Sequence, residues 1–349
     1  MTESSERQPS AKPLRIAVIG LGGAAQVIHL PILSAMESFE LVGVADIEPY
    51  KLSRISEKYD LPGFLDHENL LRSVQPDAVL ICTPTINHLP IALSALRAGV
   101  DVILEKPVTR DYEEVLRLAD FAREAERRVL VAMNHRFRQD VTVMRNFLAS
   151  GELGRIWRVR LGWLKRSTSW ARSPWLDQKN ISGGGVLMDL GLQMLDFTHW
   201  LLGCPKVERV VAFAQSASLN KEVEDTVSAT IAYETGTTLQ LDVSWGLLAE
   251  QSVAYAYFEG EQGSARLNPL VLYKTLQGEL VNVTPVRSPE PNELYNASFE
   301  AQMHHFASVL RGEETTPVST VDEAVEVMQL VDMIYRSSRE GREIRSDEA

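Results

Sequence analysis

The sequence predicts an α/β protein of two domains. A doubly wound parallel sheet comes first, then an α/β domain with an open-faced, mostly antiparallel sheet. Three observations carry this expectation. Short apolar runs rich in β-branched residues alternate with helical patterns from Leu14 to about Met133. Beyond Asp140 the strands lengthen and alternate apolar with polar residues at period two. A length of 349 residues allows two separate cores. Residues 1–13 read as a flexible polar tail, 14–135 as the first domain and 136–319 as the second. The segment 320–345 is expected to pack back on the first.

The opening strand, Arg15–Ile19, runs into Gly20-Leu21-Gly22-Gly23-Ala24-Ala25 and a helix start. In this G-x-G-x-x-A pattern Gly20 permits a sharp turn and Gly22 lets a pyrophosphate approach the backbone. Ala25 keeps the helix close to its strand. The helix N-terminus offers N–H groups and a positive dipole end to phosphates. The next strand, Leu41–Ala45, ends in Asp46. A carboxylate there accepts hydrogen bonds from an adenosine ribose and repels a 2′-phosphate, which favours NAD and leaves NADP possible. Its plain alternative is a cap on the following segment. The first domain therefore reads as a dinucleotide-binding Rossmann domain.

Strands Ala78–Cys82, Val102–Leu104 and Val129–Ala132 complete the predicted sheet, with helices at Ile32–Ser38, Glu68–Val74, Pro90–Ala98 and Tyr112–Glu126. Ligands on such sheets bind beyond the carboxyl ends of the strands. Three strand ends converge there. They are Thr83-Pro84-Thr85-Ile86-Asn87-His88, Glu105-Lys106-Pro107 and Asn134-His135-Arg136-Phe137.

The second domain is predicted to contain a helix at Thr142–Ala149 and strands at Ile156–Leu164, Val207–Gln215, Asp225–Tyr233, Thr238–Trp245, Val253–Glu259 and Ser264–Leu267. Leu280–Leu294 reads as a loop, and Val321–Arg339 as a helix stopped at Gly341. Gly183-Gly184-Gly185 precedes a helix with Leu190, Met194, Phe197 and Leu201 on one face and Asp189, Gln193 and Asp196 on another. Polar side chains aligned on an apolar helix need water or a ligand. Gly191 costs about 1 kcal/mol against Ala in mid-helix. Either close helix packing or a neighbouring nicotinamide or substrate ring accounts for it. Trp170 and Trp175, on the loop before the glycines, suit a carbohydrate ring or a loop anchor equally.

Taken together, Gly20–Ala25, Glu105-Lys106-Pro107, Asn134-His135-Arg136-Phe137 and Gly183-Gly184-Gly185…Asp189-Leu190-Gly191 resemble the Gfo/Idh/MocA oxidoreductase family. The resemblance runs from about Leu14 to Ile344. It implies a Rossmann domain plus an open-faced α/β domain. It also implies an NAD(P)-dependent dehydrogenase or reductase acting on CH–OH groups of a sugar, cyclitol or related polyol. On the same ground Lys106 sits near the substrate hydroxyl and the nicotinamide, and Asp189 binds or polarises the reacting group. Thr83, Pro84 and His88 line the cofactor, and Glu105, Asn134 and Arg136 join them. Many members carry a proton-transferring His four residues after the Asp. This chain has Gln193 there, which cannot exchange a proton near neutral pH. Thr85 stands where the family has an Asn.

Oxidising a secondary alcohol requires a proton acceptor. The expected one is Lys106, its pKa lowered by burial and by a cationic ring, with Asp189 and Gln193 orienting the substrate and Trp175 contacting it. The competing reading is a non-catalytic NAD-binding sensor that retained the fold and lost the family's His. Other partners are bounded by bulk chemistry. Thirty-five basic against 47 acidic residues give a net charge of −12, which disfavours nucleic acid. No apolar run suggests a membrane span. Cys82 and Cys204 read as isolated thiols of a reducing cytoplasm. No metal site is read. His304 and His305 diverge by roughly 100° on a helix, and His199 reads as a packed histidine. The open sheet face predicts a homodimer or homotetramer.

Overall fold

The computed structural model describes residues 12–167, 174–216, 222–286 and 290–348. Trp170 lies outside the described residues. Six strands form the first sheet: β1 (Leu14–Ile19), β2 (Phe39–Ala45), β3 (Gly63–Phe64), β4 (Ala78–Ile81), β5 (Asp101–Leu104) and β6 (Val129–Val131). All are parallel, in the order β3-β2-β1-β4-β5-β6. Helices cover both faces, so β4 and β6 are buried along their whole length and read as unbroken apolar runs. The strand order reverses between β1 and β4, which opens a crevice at their carboxyl ends.

The first helix begins earlier than its apolar spacing suggests. It passes through a π-helical turn at Ala25–His29, where the Leu30 N–H donates to the Ala25 carbonyl, and continues as Leu30–Ala35. The sequence reading also missed β3 and the helix Pro49–Tyr59. Two residues carry too little pattern to identify a strand, and that helix buries only Leu52 and Ile55 in a charged stretch.

Nine strands form the second sheet: β7 (Ile156–Arg166), β8 (Val207–Gln215), β9 (Thr226–Tyr233), β10 (Thr238–Leu247), β11 (Val253–Gly260), β12 (Gly263–Leu267), β13 (Val271–Leu276), β14 (Glu279–Asn282) and β15 (Ile344–Arg345). Their order is β14-β13-β12-β11-β7-β10-β9-β8-β15, antiparallel throughout except for β7 beside β10. The expected loop at Leu280–Leu294 is narrower: its first residues close a β13–β14 hairpin, its last ones begin a helix, Pro291–Leu310, and residues 283–286 between them have no regular structure, with 287–289 outside the described residues. Val159, Leu161, Val210, Leu241 and Phe258 point to the buried face. Val211, Phe213 and Tyr273 stand partly exposed on the opposite one.

Helix Val321–Glu340 packs on both domains, against helix Tyr112–Glu124 and against β8. Thr320 and Glu323 form a reciprocal cap at its start, and Gly341 ends it at φ +66°. At this junction lies Arg136. Its guanidinium donates two hydrogen bonds to Asp196, at 2.8 and 2.6 Å, and one to Glu323, at 2.7 Å. Arg136 and Asp196 are each 1% accessible. This corrects the expectation that Arg136 touches a cofactor, because every direction of its fork ends on protein.

Arg136→Met is expected to lose about 3–5 kcal/mol of unfolding free energy, because Asp196 is left buried and unpaired. Arg136→Met/Asp196→Leu should recover most of that loss in urea unfolding. Unchanged stability with weakened dinucleotide binding would instead place Arg136 in the crevice.

Candidate active site

The glycine turn joins β1 to its helix at the crevice. Gly20 has φ +89°, and a Cβ there would fall 2.7 Å from Thr83 atoms. Only glycine fits. Above the turn there is room: a Cβ on Gly22 would meet only the Cys82 carbonyl at 3.8 Å, and one on Gly23 nothing within 4 Å. Leu21 and Ala25 turn fully inward, and Ala24 is half-buried at the helix start. The turn therefore offers backbone and open space, which fits a diphosphate. Asp46 adjoins it. One carboxylate oxygen accepts from the Leu21 N–H at 2.7 Å and the other from the Glu48 N–H at 2.9 Å, with Lys51 3.6 Å away. Asp46 thus ties the glycine turn to the residue before helix Pro49–Tyr59, whose start has no side-chain cap.

Beside the turn, the chain leaving β4 runs through Thr83 and Pro84, both half-buried. The Thr83 hydroxyl is enclosed with no hydrogen-bond partner. His88 does not face the crevice. It is 1% exposed, with Nδ1 2.8 Å from the Pro107 carbonyl and Nε2 2.8 Å from the Thr83 carbonyl. It fixes the two strand-end loops to each other. Asn134 is likewise inside, donating to Ser298 Oγ at 2.9 Å. Both side chains, like that of Arg136, thus turn onto protein partners and away from the crevice where cofactor contacts were expected of them.

β5 delivers Glu105 and Lys106. Glu105 accepts from the buried His29 Nε2 at 2.5 Å and from the Lys106 N–H at 3.0 Å. Burial alone would push the Glu105 carboxyl up, but His29 and Lys106 hold it below its ordinary value. The Lys106 ammonium reaches across to the second domain and donates to Asp189 Oδ1 at 2.8 Å. Burial pulls the Lys106 pKa down, yet Asp189 and Glu105 outweigh it and raise the pKa. This reverses the expected lowering, because two carboxylates flank the ammonium. For Asp189, burial pushes up, but Lys106, Lys165 and the Trp245 indole hold it low. The indole Nε1–H donates to Asp189 Oδ2 at 3.2 Å.

Asp189 is placed by the segment before it. Gly183-Gly184-Gly185 lets the chain press against Arg110, Tyr335 and the Glu224 backbone, where any Cβ would collide. The Glu224 carboxylate then accepts from the Gly185 and Leu187 N–H groups at 3.0 Å, and from the Tyr335 hydroxyl at 2.9 Å. The triple glycine is therefore a packing device for the helix start. Asp189 sits on a second π-helical turn, Leu187–Gly191, in which the Leu192 N–H donates to the Leu187 carbonyl. Gly191 packs against Leu187 and Val243, so close packing accounts for it. Gln193 turns back, its Nε2 donating to the Asp189 carbonyl at 2.6 Å. Trp175 is half-buried on the turn Pro174–Asp177.

Sequence reasoning missed several neighbours of this pair. Trp245 lies near the carboxyl end of β10, and Tyr295 on helix Pro291–Leu310 lies within electrostatic reach of Lys106, its phenol kept protonated by burial. His135 is 6% exposed with neither ring nitrogen hydrogen-bonded, ringed by Trp163, Tyr295 and Phe197 at 5.6–6.0 Å. Its position beside Asn134 on a predicted strand end was the one available signal. Burial first, then Arg138 and Lys106, push its pKa down to about 3, against a small upward pull from Gln193.

The fold and this site together define a nicotinamide-dinucleotide-dependent oxidoreductase. The NAD-binding Rossmann model of the Gfo/Idh/MocA oxidoreductases matches residues 14–133, and the family's C-terminal alpha/beta domain matches 145–345. The chain belongs to this family. It is 29% identical to D-glucoside 3-dehydrogenase of Escherichia coli, covering 96% of this chain and 98% of that one. It is 26% identical to an NADP-dependent D-xylose 1-dehydrogenase of Haloferax volcanii, covering 96% and 100%. Levoglucosan dehydrogenase, solved with NADH and levoglucosan, shares the fold at a TM-score of 0.82 and 20% identity, covering 95% and 99%. Among the described residues, no helix is long and apolar enough to cross a membrane.

A buried neutral His135 makes stability depend on pH. Its folded pKa lies below its unfolded value near 6.5, so the unfolded chain binds the extra proton. Stability then holds above about pH 6.5 and falls as pH drops toward 3, by up to ~1.4 kcal/mol per unit. His135→Asn should flatten that slope in urea unfolding at pH 7 and pH 5. Equal slopes would show that the ring is not neutral and buried.

Proposed function

We propose that this chain interconverts a secondary alcohol and the corresponding ketone on a sugar, glycoside or cyclitol, with NAD as the preferred dinucleotide. The single observation that carries the reading is the Lys106–Asp189 contact of 2.8 Å, made across the two domains at the mouth of the glycine crevice. When bound, the nicotinamide accepts or returns the hydride. Gly20, Leu21, Gly22, Gly23, Ala24 and Ala25 seat the diphosphate, Asp46 takes the adenosine ribose, and Thr83, Pro84 and Glu105 shape the wall.

Lys106 carries the proton. Flanked by Asp189 and Glu105, it is charged near neutral pH and donates to the forming alkoxide when a ketone is reduced. In the oxidative direction it must first lose that proton, so oxidation speeds up as pH rises. Asp189 fixes the ammonium and offers its second oxygen, with Trp245, to a substrate hydroxyl. Gln193 holds the Asp189 backbone and presents its amide oxygen, and Trp175 offers an aromatic face. The glucoside dehydrogenase and inositol dehydrogenase relatives support a polyol substrate. A second reading is a dinucleotide-binding sensor. It is favoured by Gln193, which replaces a proton carrier and is spent on a backbone carbonyl. For assembly, the outer sheet face carrying Val211, Phe213 and Tyr273 fits a homodimer or homotetramer contact.

Purified protein given NAD and a panel of glycosides and cyclitols should reduce the dinucleotide. Lys106→Met and Asp189→Asn should each lower kcat by about 10²–10⁴-fold, with NAD binding still measurable by fluorescence quenching. Tight NAD binding with no turnover on any polyol would favour the sensor. Asp46→Ala should shift preference toward NADP by about 10-fold or more in kcat/KM, which is at least ~1.4 kcal/mol. An unchanged ratio would return Asp46 to a purely structural role.

A further inference from the structure

The helix that carries Gln193 ends, two turns later, in an arrangement that hydride transfer does not use. His199 lies on its last turn, Cys204 follows in the turn after it, and Glu326 faces both from helix Val321–Glu340. One ligand-type atom from each, the imidazole nitrogen, the thiol sulfur and a carboxylate oxygen, lies within 4.8 Å of the other two. His199 Nε2 is 3.1 Å from Glu326 Oε2. The sequence reading took Cys204 for an isolated thiol and saw no metal ligands. Glu326 lies more than a hundred residues away, so no local spacing links it to the other two.

We propose that His199, Cys204 and Glu326 form a binding site for one zinc-class divalent cation, with a fourth position open to solvent, clamping helix Leu192–Leu201 to helix Val321–Glu340.

Four features support this. The first is the donor set. A thiolate and an imidazole select zinc or cobalt over magnesium or calcium, and three protein ligands with an open position are a familiar zinc arrangement. The second is backbone conformation. Cys204 has φ +54°, a left-handed conformation uncommon for a residue without a short polar side chain, and its N–H donates to the His199 carbonyl at 2.9 Å. The third is an orphan. His199 is 5% exposed, and its Nδ1 has no hydrogen-bond partner. The fourth is space. A cavity of about 280 Å³ opens over the three residues, lined also by Lys206, Glu234 and Gln329.

The chemistry balances simply. Burial and the Glu326 charge push the Cys204 thiol up to about 11, so the metal-free side chain is S–H. On binding, the S–H bond breaks, the proton goes to solvent and sulfur donates its pair to the ion. The His199 imidazole and the Glu326 carboxylate supply the other two ligands. Zinc bonds of about 2.0–2.3 Å require the three atoms to close by about an ångström, which side-chain rotation provides. The divalent charge also relieves the repulsion between a thiolate and Glu326.

The test is a Co2+ titration of the full chain after chelator treatment, followed by Zn2+ displacement. The expected result is one Co2+ per chain with a near-ultraviolet thiolate charge-transfer band that Zn2+ abolishes. Cys204→Ser should remove the band. His199→Ala or Glu326→Gln should weaken binding more than the ~10–100-fold that outer-shell partners contribute. Zn2+ should raise the Tm of the wild type and leave that of Cys204→Ser unchanged. Absence of a band and of a Tm shift at millimolar metal would overturn the proposal. So would a band that survives in Cys204→Ser. None of these readouts involves the dinucleotide or turnover, so they stand or fall separately from the proposed activity.

Discussion

The structure depends on a buried cation held by two carboxylates. Arg136 follows the last strand of the parallel sheet, Asp196 belongs to the helix that carries Gln193 and follows the Asp189 turn, and Glu323 opens the helix that spans both domains. A guanidinium fits this junction because its fork satisfies two partners at once in a fixed plane. A lysine would offer one point of charge and leave oxygens unpaired. The geometry that results puts β5 opposite the Asp189 helix, so Lys106 and Asp189 meet at 2.8 Å. The Lys106–Asp189 contact and the Arg136–Asp196 pair thus tie the same two domains together at two points along one helical segment.

The second organising group is Glu224. A carboxylate that burial pushes above its ordinary pKa is costly to hide. Two backbone N–H groups and the Tyr335 hydroxyl surround it, and the backbone donors come from the start of the Asp189 helix. Gly185 permits this approach, while Gly183 and Gly184 permit close contact with Arg110 and Tyr335. Side chains at those positions would separate the helix start from Glu224 and move Asp189 away from Lys106.

Much of the architecture was legible in the sequence because parallel strands are buried on both faces and spell continuous apolar runs. The positions of the glycine turn, Asp46, Lys106 and Asp189 around one crevice were legible because they lie at strand and helix ends. What stayed hidden has a common cause. His88, Asn134 and Arg136 occupy strand ends too, and one-dimensional position cannot say which side chains turn inward. Trp245, Tyr295 and Glu224 come from distant segments, and only sheet order and helix packing bring them in. The Lys106 pKa went the other way because Glu105, the residue before it at the end of β5, adds a second carboxylate to Asp189.

The π-helical turn at Leu187–Gly191 has a consequence for variation among related chains. One surplus residue in a turn advances everything beyond it by about 100° around the axis. The helical-wheel face that groups Asp189 with Gln193 and Asp196 is split by it, and each carboxylate meets a different cation. A single-residue deletion here would leave a regular helix with an intact apolar face. It would also aim Asp189 away from Lys106. Sequence comparisons that slide a gap through this stretch will therefore align the fold correctly while misaligning the chemistry.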